Sequence, residues 1–423
     1  MCCKSPLIAP SRASHLRTAA LARIIYIVSA CENFRRGCRN LDTIFYLCRM
    51  KKIVVAFDSF KGSLSSREAG EAFVEGYRAV WPEVEARIFT ISDGGEGLSE
   101  AVLAALGGEM VECRACDPLG RSVVARYAIV EGDVAVISLA AASGLTLLTA
   151  AERNPLIATT FGTGELILDA LRRGCRRIIV GLGGSATTDG GVGMLRALGY
   201  RFYDAEGEEL TSSIDILERV AKVSDIAVPQ EVRDADISVA VDVDNPLCGP
   251  RGAAAVFAPQ KGADRDMVAR LDAALSNFAT FGDAHCGFRA SECAGAGAAG
   301  GVGYAFVAFL GRRLTSGIEL LLDIINFDAA LSGASLVVTG EGRIDAQTLM
   351  GKAPSGVLCR AERYDVACVA VGGGVVMSEA LEHSGFKAVL AATPEDMALS
   401  EAMQPTAARD NLRRVGQRVA TLL

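Results

Sequence analysis

The run GLGGSATTDGG, residues 181–191, constrains this chain more than any other feature. It follows RIIV, residues 177–180, a β-branched apolar run that reads as a buried strand. It precedes VGMLRAL, residues 192–198, which reads as a helix start. Strand, glycine-rich turn and helix N-terminus in succession expose backbone N–H groups at the positive end of a helix dipole, which suits an anion. Gly183 and Gly184 lie in the turn, Ser185, Thr187 and Thr188 add hydroxyls, and Asp189 adds a carboxylate able to hold a metal or accept a proton. For this loop alone, a tight βα turn that merely needs glycine is the rival reading.

From Met50 onward short β-branched runs alternate with helical stretches, the pattern of an α/β fold. Residues 53–57 read as a strand and 66–81 as a helix, opened by SSRE at the spacing of a capping box. Residues 87–91 read as a second strand, followed by DGGEG and a helix to 106. Residues 123–130 and 134–139, split by EGD, read as a hairpin that a purely βαβ domain would not need. A strand at 237–243 and a helix over 264–281 complete this mixed segment. The alternation returns after Gly300, with strands at 336–338, 366–371 and 387–391 and a last helix to 423. The expectation is a discontinuous three-layer domain from residues 50–112 and 300–423, interrupted by an inserted α/β domain over 113–299.

Residues 1–49 stand apart. Eight basic residues face only Glu32 and Asp42 in the first 50, and five of the thirteen cysteines lie there. The texture changes at Met50, so the segment reads as an over-extended gene start outside the fold, with Met50 the initiator. An Arg-rich transit peptide and a lipoprotein leader are the rivals. The net charge of −7 and the lack of a basic patch argue against nucleic acid as a partner. No apolar run approaches the roughly 20 residues that span a bilayer, so no membrane partner is expected. Scattered thiols suit a reducing cytoplasm, and a lone CxxC at Cys113 and Cys116 without nearby histidine is a poor zinc site.

In open α/β sheets ligands bind beyond the carboxyl ends of the strands. Five polar or glycine-rich loops fall at such ends: 58–63, 92–97, 181–191, 339–345 and 372–374. Together they hold Asp58, Asp93, Glu96, Asp189, Glu341 and Asp345, with Lys61, Arg343 and nearby Lys352 as cations. Phosphoryl transfer asks for that inventory: carboxylates on Mg²⁺, cationic or amide donors on phosphate oxygens, and a base near the attacking hydroxyl. For Asp58 or Glu96 a helix N-cap is the competing role, and for Arg343 an ion pair with its neighbours. The P-loop pattern is absent, since Gly351-Lys352 is followed by Ala353. GAGAAG at 295–300 matches a dinucleotide fingerprint by letter but follows no strand, and reads as a glycine-rich helix start.

These motifs carry a resemblance. FDSFKGSLSS, SDGGEG, FGTGELI, GLGGSATTDGG, DVDNPLCGPRGAAAVFAPQKGA, GAGAAGGVGYA and TGEGRIDAQTLMGKAP, in this order from Met50 to near the C-terminus, resemble the type-1 glycerate kinase family. The resemblance implies ATP-dependent phosphorylation of D-glycerate, with transfer to the 2-hydroxyl. It also implies a flavodoxin-like domain from both chain ends with the active site in the cleft against the inserted domain. Thr188 departs from the asparagine usual there, GGGV at 372–375 replaces an AGSV-like loop, and Ala294 stands where proline is common.

On this resemblance the ATP phosphates and Mg²⁺ are expected among the loops of Asp93, Ser185 and Glu341. Ser59, Gly183, Gly184, Thr187, Thr188 and Lys352 are the further binding residues. Lys61 and Arg343 are assigned to the glycerate carboxylate or the moving phosphoryl group. Asp189 is expected to orient or deprotonate the substrate hydroxyl, with Asp345 as rival. Transfer to the 3-hydroxyl, a related sugar-acid kinase and a non-catalytic sugar-acid or nucleotide sensor are the alternatives. A homo-oligomer is left open.

Overall fold

The computed structural model describes residues 52–60, 62–91 and 98–422. The leader at 1–49, Lys61, Asp93 and Glu96 lie outside the described residues.

Two sheets organise the chain. The first holds β1 (Lys52–Phe57) and β2 (Glu85–Thr90) from the N-terminal side. From the C-terminal side it takes β12 (Leu336–Ile344), β13 (Cys368–Val375) and β14 (Ala388–Ala391). The second sheet holds β3 (Glu109–Cys116), β4 (Ser122–Val130), β5 (Val134–Ser138), β6 (Arg177–Gly181), β10 (Asp236–Val241) and β11 (Leu314–Ser316). A small third sheet joins β7 (Arg201–Tyr203), β8 (Glu209–Leu210) and β9 (Lys222–Ser224).

The first sheet is wholly parallel in the order β14-β13-β12-β1-β2. Counted along its own strands this is the flavodoxin-like order, whose topological switch point falls between the first strand and the third, here β1 and β12. Their register pairs Ile53 with Leu336 and Phe57 with Gly340, joining the N-terminal strand to one nearly 300 residues later. In the second sheet β3, β4 and β5 form an antiparallel meander, and β5, β6, β10 and β11 then run parallel. The expected hairpin is β4 and β5, paired antiparallel from Ala128–Val136 to Val130–Val134. This sheet takes strands from Glu109 to Ser316, so it reaches slightly beyond 113–299 on either side.

Strand periodicity divides the core. Val134 and Val136 face one way and Ala135 and Ile137 the other, as successive residues of a strand must. The first pair joins an apolar cluster with Val54 and Ala56 of the first sheet and with Ile318, Leu322 and Phe327. Both sheets therefore share one core. The second pair packs with Leu166, Ile167, Phe278, Tyr304 and Phe306 on the far side. Each large apolar side chain so buried contributes about 1.5–3 kcal/mol.

The helix Ser66–Arg78 opens with the expected capping box, Ser65 accepting from Glu68 N while Glu68 accepts from Ser65 N. The C-terminal helix Pro405–Leu422 lies against it, and Trp81 Nε1 donates to Ala420 O at 2.9 Å. Two strands are longer than expected: β12 continues from 338 to Ile344 and β13 from 371 to Val375. The glycine-rich stretches pair with each other, Glu341 with Gly372 and Arg343 with Gly374. A Cβ on Gly340 would run into the Val371 carbonyl, so glycine is what lets the pairing continue.

Arg360, only 6 % exposed, donates to Glu319 at 2.6 Å, Asp323 at 2.6 Å and Asp328 at 3.0 Å. Burial opposes its charge, but the hydrogen bonds to the three carboxylates outweigh it and raise its pKa. They tie the helix Ala353–Arg363 to Gly317–Ile324 and Phe327–Leu331. Arg360→Leu would leave three crowded carboxylates with only Arg363, 3.9 Å from Glu319, as a counter-charge. We expect a loss of roughly 2–3 kcal/mol in urea unfolding, below the full cost of a buried pair because the acids are partly solvated. A loss under about 0.5 kcal/mol would show the network to be idle.

Candidate active site

The carboxyl ends of β1, β12 and β13 open into a cavity of about 740 Å³. Asp58, Ser59, Glu341, Arg343, Asp345 and Lys352 lie on its wall. Met397, Leu399, Met403 and Leu412 add an apolar part to the lining. Six residues selected from sequence thus meet at the switch point, drawn from positions nearly 300 apart in the chain.

Local chemistry orients each of them. Asp58 accepts from Ser59 N at 2.6 Å, and its own N–H donates to Gly340 O at 2.8 Å, fastening the end of β1 to β12. Glu341 and Arg343 sit two apart on β12, so both point to one side. Glu341 accepts from Thr348 Oγ1 at 2.8 Å, with Lys352 Nζ 3.8 Å away. Asp345 caps the turn Ala346–Leu349 by accepting from Gln347 N at 3.0 Å. It also pairs with Arg343 at 3.3 Å, the ion pair that competes with a substrate role for that arginine.

A second cavity, about 300 Å³, opens at the carboxyl ends of β6 and β10. Gly183, Gly184 and Ser185 line it together with Asp242 and Lys261. The run GAGAAG packs against this loop, with Ala298 and Ala299 on the cavity lining, and is not preceded by a strand. It follows the turn Ala290–Glu292, and Gly300 O accepts from Gly190 N at 3.0 Å. Gly300 holds φ at 70°, and a Cβ there would strike the Thr187 carbonyl.

Thr187, Thr188 and Asp189 line neither cavity. Both threonines are fully buried, and their hydroxyls have no hydrogen-bond partner among the described residues. Asp189 is 1 % exposed. One of its oxygens accepts from Thr160 N at 2.8 Å, Thr160 Oγ1 at 2.8 Å and Gly193 N at 3.2 Å, the other from Gly191 N at 3.1 Å. Burial raises its pKa and these four donors oppose that shift. The carboxylate joins the starts of helices Phe161–Arg172 and Val192–Ala197 to the loop between them.

Lys261 had no assigned role on sequence grounds. Its ammonium is buried and donates to Ser185 Oγ at 2.9 Å and Thr187 O at 2.6 Å. The signal was a lysine held between Pro259 and Gly262 after an alanine-rich apolar run.

Fold and site together define a small-molecule α/β enzyme with polar and glycine-rich loops at the ends of parallel strands. The glycerate kinase family matches residues 53–423, and the chain belongs to it. A glycerate kinase of Bacillus subtilis (strain 168) is 43 % identical over 358 residues, 84 % of this chain and 94 % of the relative. A glycerate 2-kinase of Escherichia coli (strain K12) is 40 % identical over 374 residues, 88 % of this chain and 98 % of the relative. The crystal structure of a glycerate kinase 2 from Salmonella typhimurium LT2 superposes with a TM-score of 0.77 at 41 % identity, covering 88 % and 97 %.

Asp189→Asn tests the buried carboxylate. An amide whose oxygen faces the three donors still turns its NH₂ toward Gly191 N. We expect a loss of roughly 1–3 kcal/mol in stability, with turnover falling as the loop shifts. Melting temperature and turnover both at wild-type values would show that the loop does not depend on it.

Proposed function

We propose that the chain transfers the γ-phosphoryl group of ATP to the 2-hydroxyl of D-glycerate, giving 2-phosphoglycerate. The observation that carries this reading is the set of acids and cations gathered at the switch point, on a chain that shares a family with a named glycerate 2-kinase. The division into residues 50–112 with 300–423 and an inserted 113–299 is part of the proposal, the loops of the two sheets forming opposite walls. Eight free cysteines among the described residues support a reducing compartment, the cytoplasm.

Mg²⁺ is tested by the donor set. Among the described residues no three acids, histidines or cysteines cluster as a protein-only cage. Asp58 and Glu341 are hard oxygen donors on one cavity wall. Mg²⁺ usually takes one or two carboxylates and completes its shell with water and substrate phosphates, so this set fits. Glu341, Asp58 and Asp93 would hold it, and it would neutralise charge on the phosphates.

The protein's own residues do the positioning. Lys352 beside Glu341 and Arg343 beside Asp345 place cations where phosphoryl oxygens gain charge. Ser59 follows β1 on the same wall, and Lys61 keeps its assignment to the glycerate carboxylate or the moving phosphoryl group. Asp345 reaches the cavity and can accept the hydroxyl proton, whereas Asp189 is sealed behind its loop and acts by fastening the end of the loop, at Gly191 and Gly193, to Thr160. Gly183, Gly184, Ser185, Thr187 and Thr188 remain the binding residues of that loop. Fixing two substrates in line supplies much of the rate.

The direct test supplies purified protein with Mg-ATP and D-glycerate and follows ADP. Glycerate-dependent ADP release is expected, and Asp345→Asn should lower kcat by about 10²–10⁴-fold, the range for a lost general base. No glycerate-dependent ADP release would overturn the reading and favour the sensor.

A further inference from the structure

We propose that Lys261 and the turn of Gly183, Gly184 and Ser185 form an oxyanion subsite that grips a phosphate or carboxylate group of the substrates. The inference rests on the kinase reading for the identity of those two sources and on geometry for the site itself. Lys261 is 2 % exposed, and among the described residues no carboxylate lies within ion-pair distance of it. Its two acceptors, Ser185 Oγ and the Thr187 carbonyl, are neutral. An ammonium carries three N–H donors, so one is left for the cavity that Lys261 itself lines.

A buried cation with no carboxylate in direct contact is costly, and here the cost favours an incoming anion. The same wall carries the backbone of a glycine turn, which approaches an oxyanion closely. At about 300 Å³ the cavity suits a small hydroxy acid or the phosphate end of a nucleotide. The nearby acids do not satisfy the ammonium directly. Asp189 lies behind the loop with four donors of its own, and Asp242 stands on the cavity wall. On the other side Gly262 packs on the backbone of Arg153. Burial pushes the Lys261 pKa down to about 7, with Asp189 partly opposing. The charge that attracts the anion is therefore present below pH 7 and is lost as pH rises through it.

Calorimetric dissociation constants for ADP and for D-glycerate, on wild type and Lys261→Met at pH 6 and pH 8.5, test the subsite. We expect the variant to bind one of the two at least tenfold more weakly at pH 6, and the gap to close at pH 8.5. Loss of ADP affinity identifies the phosphate, loss of D-glycerate affinity the carboxylate. Equal affinities of variant and wild type for both ligands at pH 6 would overturn the proposal. If Lys261→Met does not fold, sulfate on the wild type decides: it should raise the melting temperature at pH 6 and not at pH 8.5. Equal protection at both pH values overturns the proposal. Failure of the kinase reading is seen separately, as absence of glycerate-dependent ADP release from the wild type.

Discussion

Parallel pairing of β1 with β12 is the constraint on which the rest depends. Ile53 lies opposite Leu336, so strands nearly 300 residues apart in the chain are neighbours in one sheet. The pairing places the carboxyl end of β1, with Asp58 and Ser59, beside Glu341, Arg343 and Asp345 on β12. Polar groups gather there because helices cover the faces of the sheet and leave only strand ends for a ligand. The glycines of β12 and β13 extend the pairing beyond the ordinary strand length and carry Glu341 and Arg343 out on a paired backbone. Side chains held on strands are better fixed than side chains on free loops, which is what a positioning catalyst needs.

The loop at 181–191 is held from two sides by opposite charges. Lys261 draws on its first half through Ser185 and Thr187, and Asp189 fastens its second half to two helix starts. Each charge sits in a place where burial disfavours it; hydrogen bonds oppose that penalty at Asp189, and the charge of Asp189 opposes it at Lys261. The result is a rigid turn whose backbone faces a cavity. Gly300, packed against Thr187, closes it from behind.

Much of this was legible in the residues. The alternation of β-branched runs with helical stretches, the capping box at Ser65 and the hairpin of β4 and β5 all rest on local signals, and all are present. The small sheet of β7, β8 and β9 was not legible, since strands of two or three residues leave no periodicity. The lengths of β12 and β13 were missed because glycine breaks strand propensity locally, while the partner strand that rescues it is remote in sequence. The six residues of the larger cavity were legible from their place after strands. What sequence could not show is which side of a loop faces out: Asp189 and Ser185 belong to one motif, yet one is sealed and the other lines a cavity. Lys261 was hidden because its burial is a tertiary fact.

If, as proposed, these walls position ATP and D-glycerate for transfer to the 2-hydroxyl, the product carries its phosphate there. Phosphorus NMR of the product formed from D-glycerate and Mg-ATP tests it most directly. 2-Phosphoglycerate is expected to accumulate as ATP disappears. Accumulation of 3-phosphoglycerate, or no phosphomonoester at all, would contradict it.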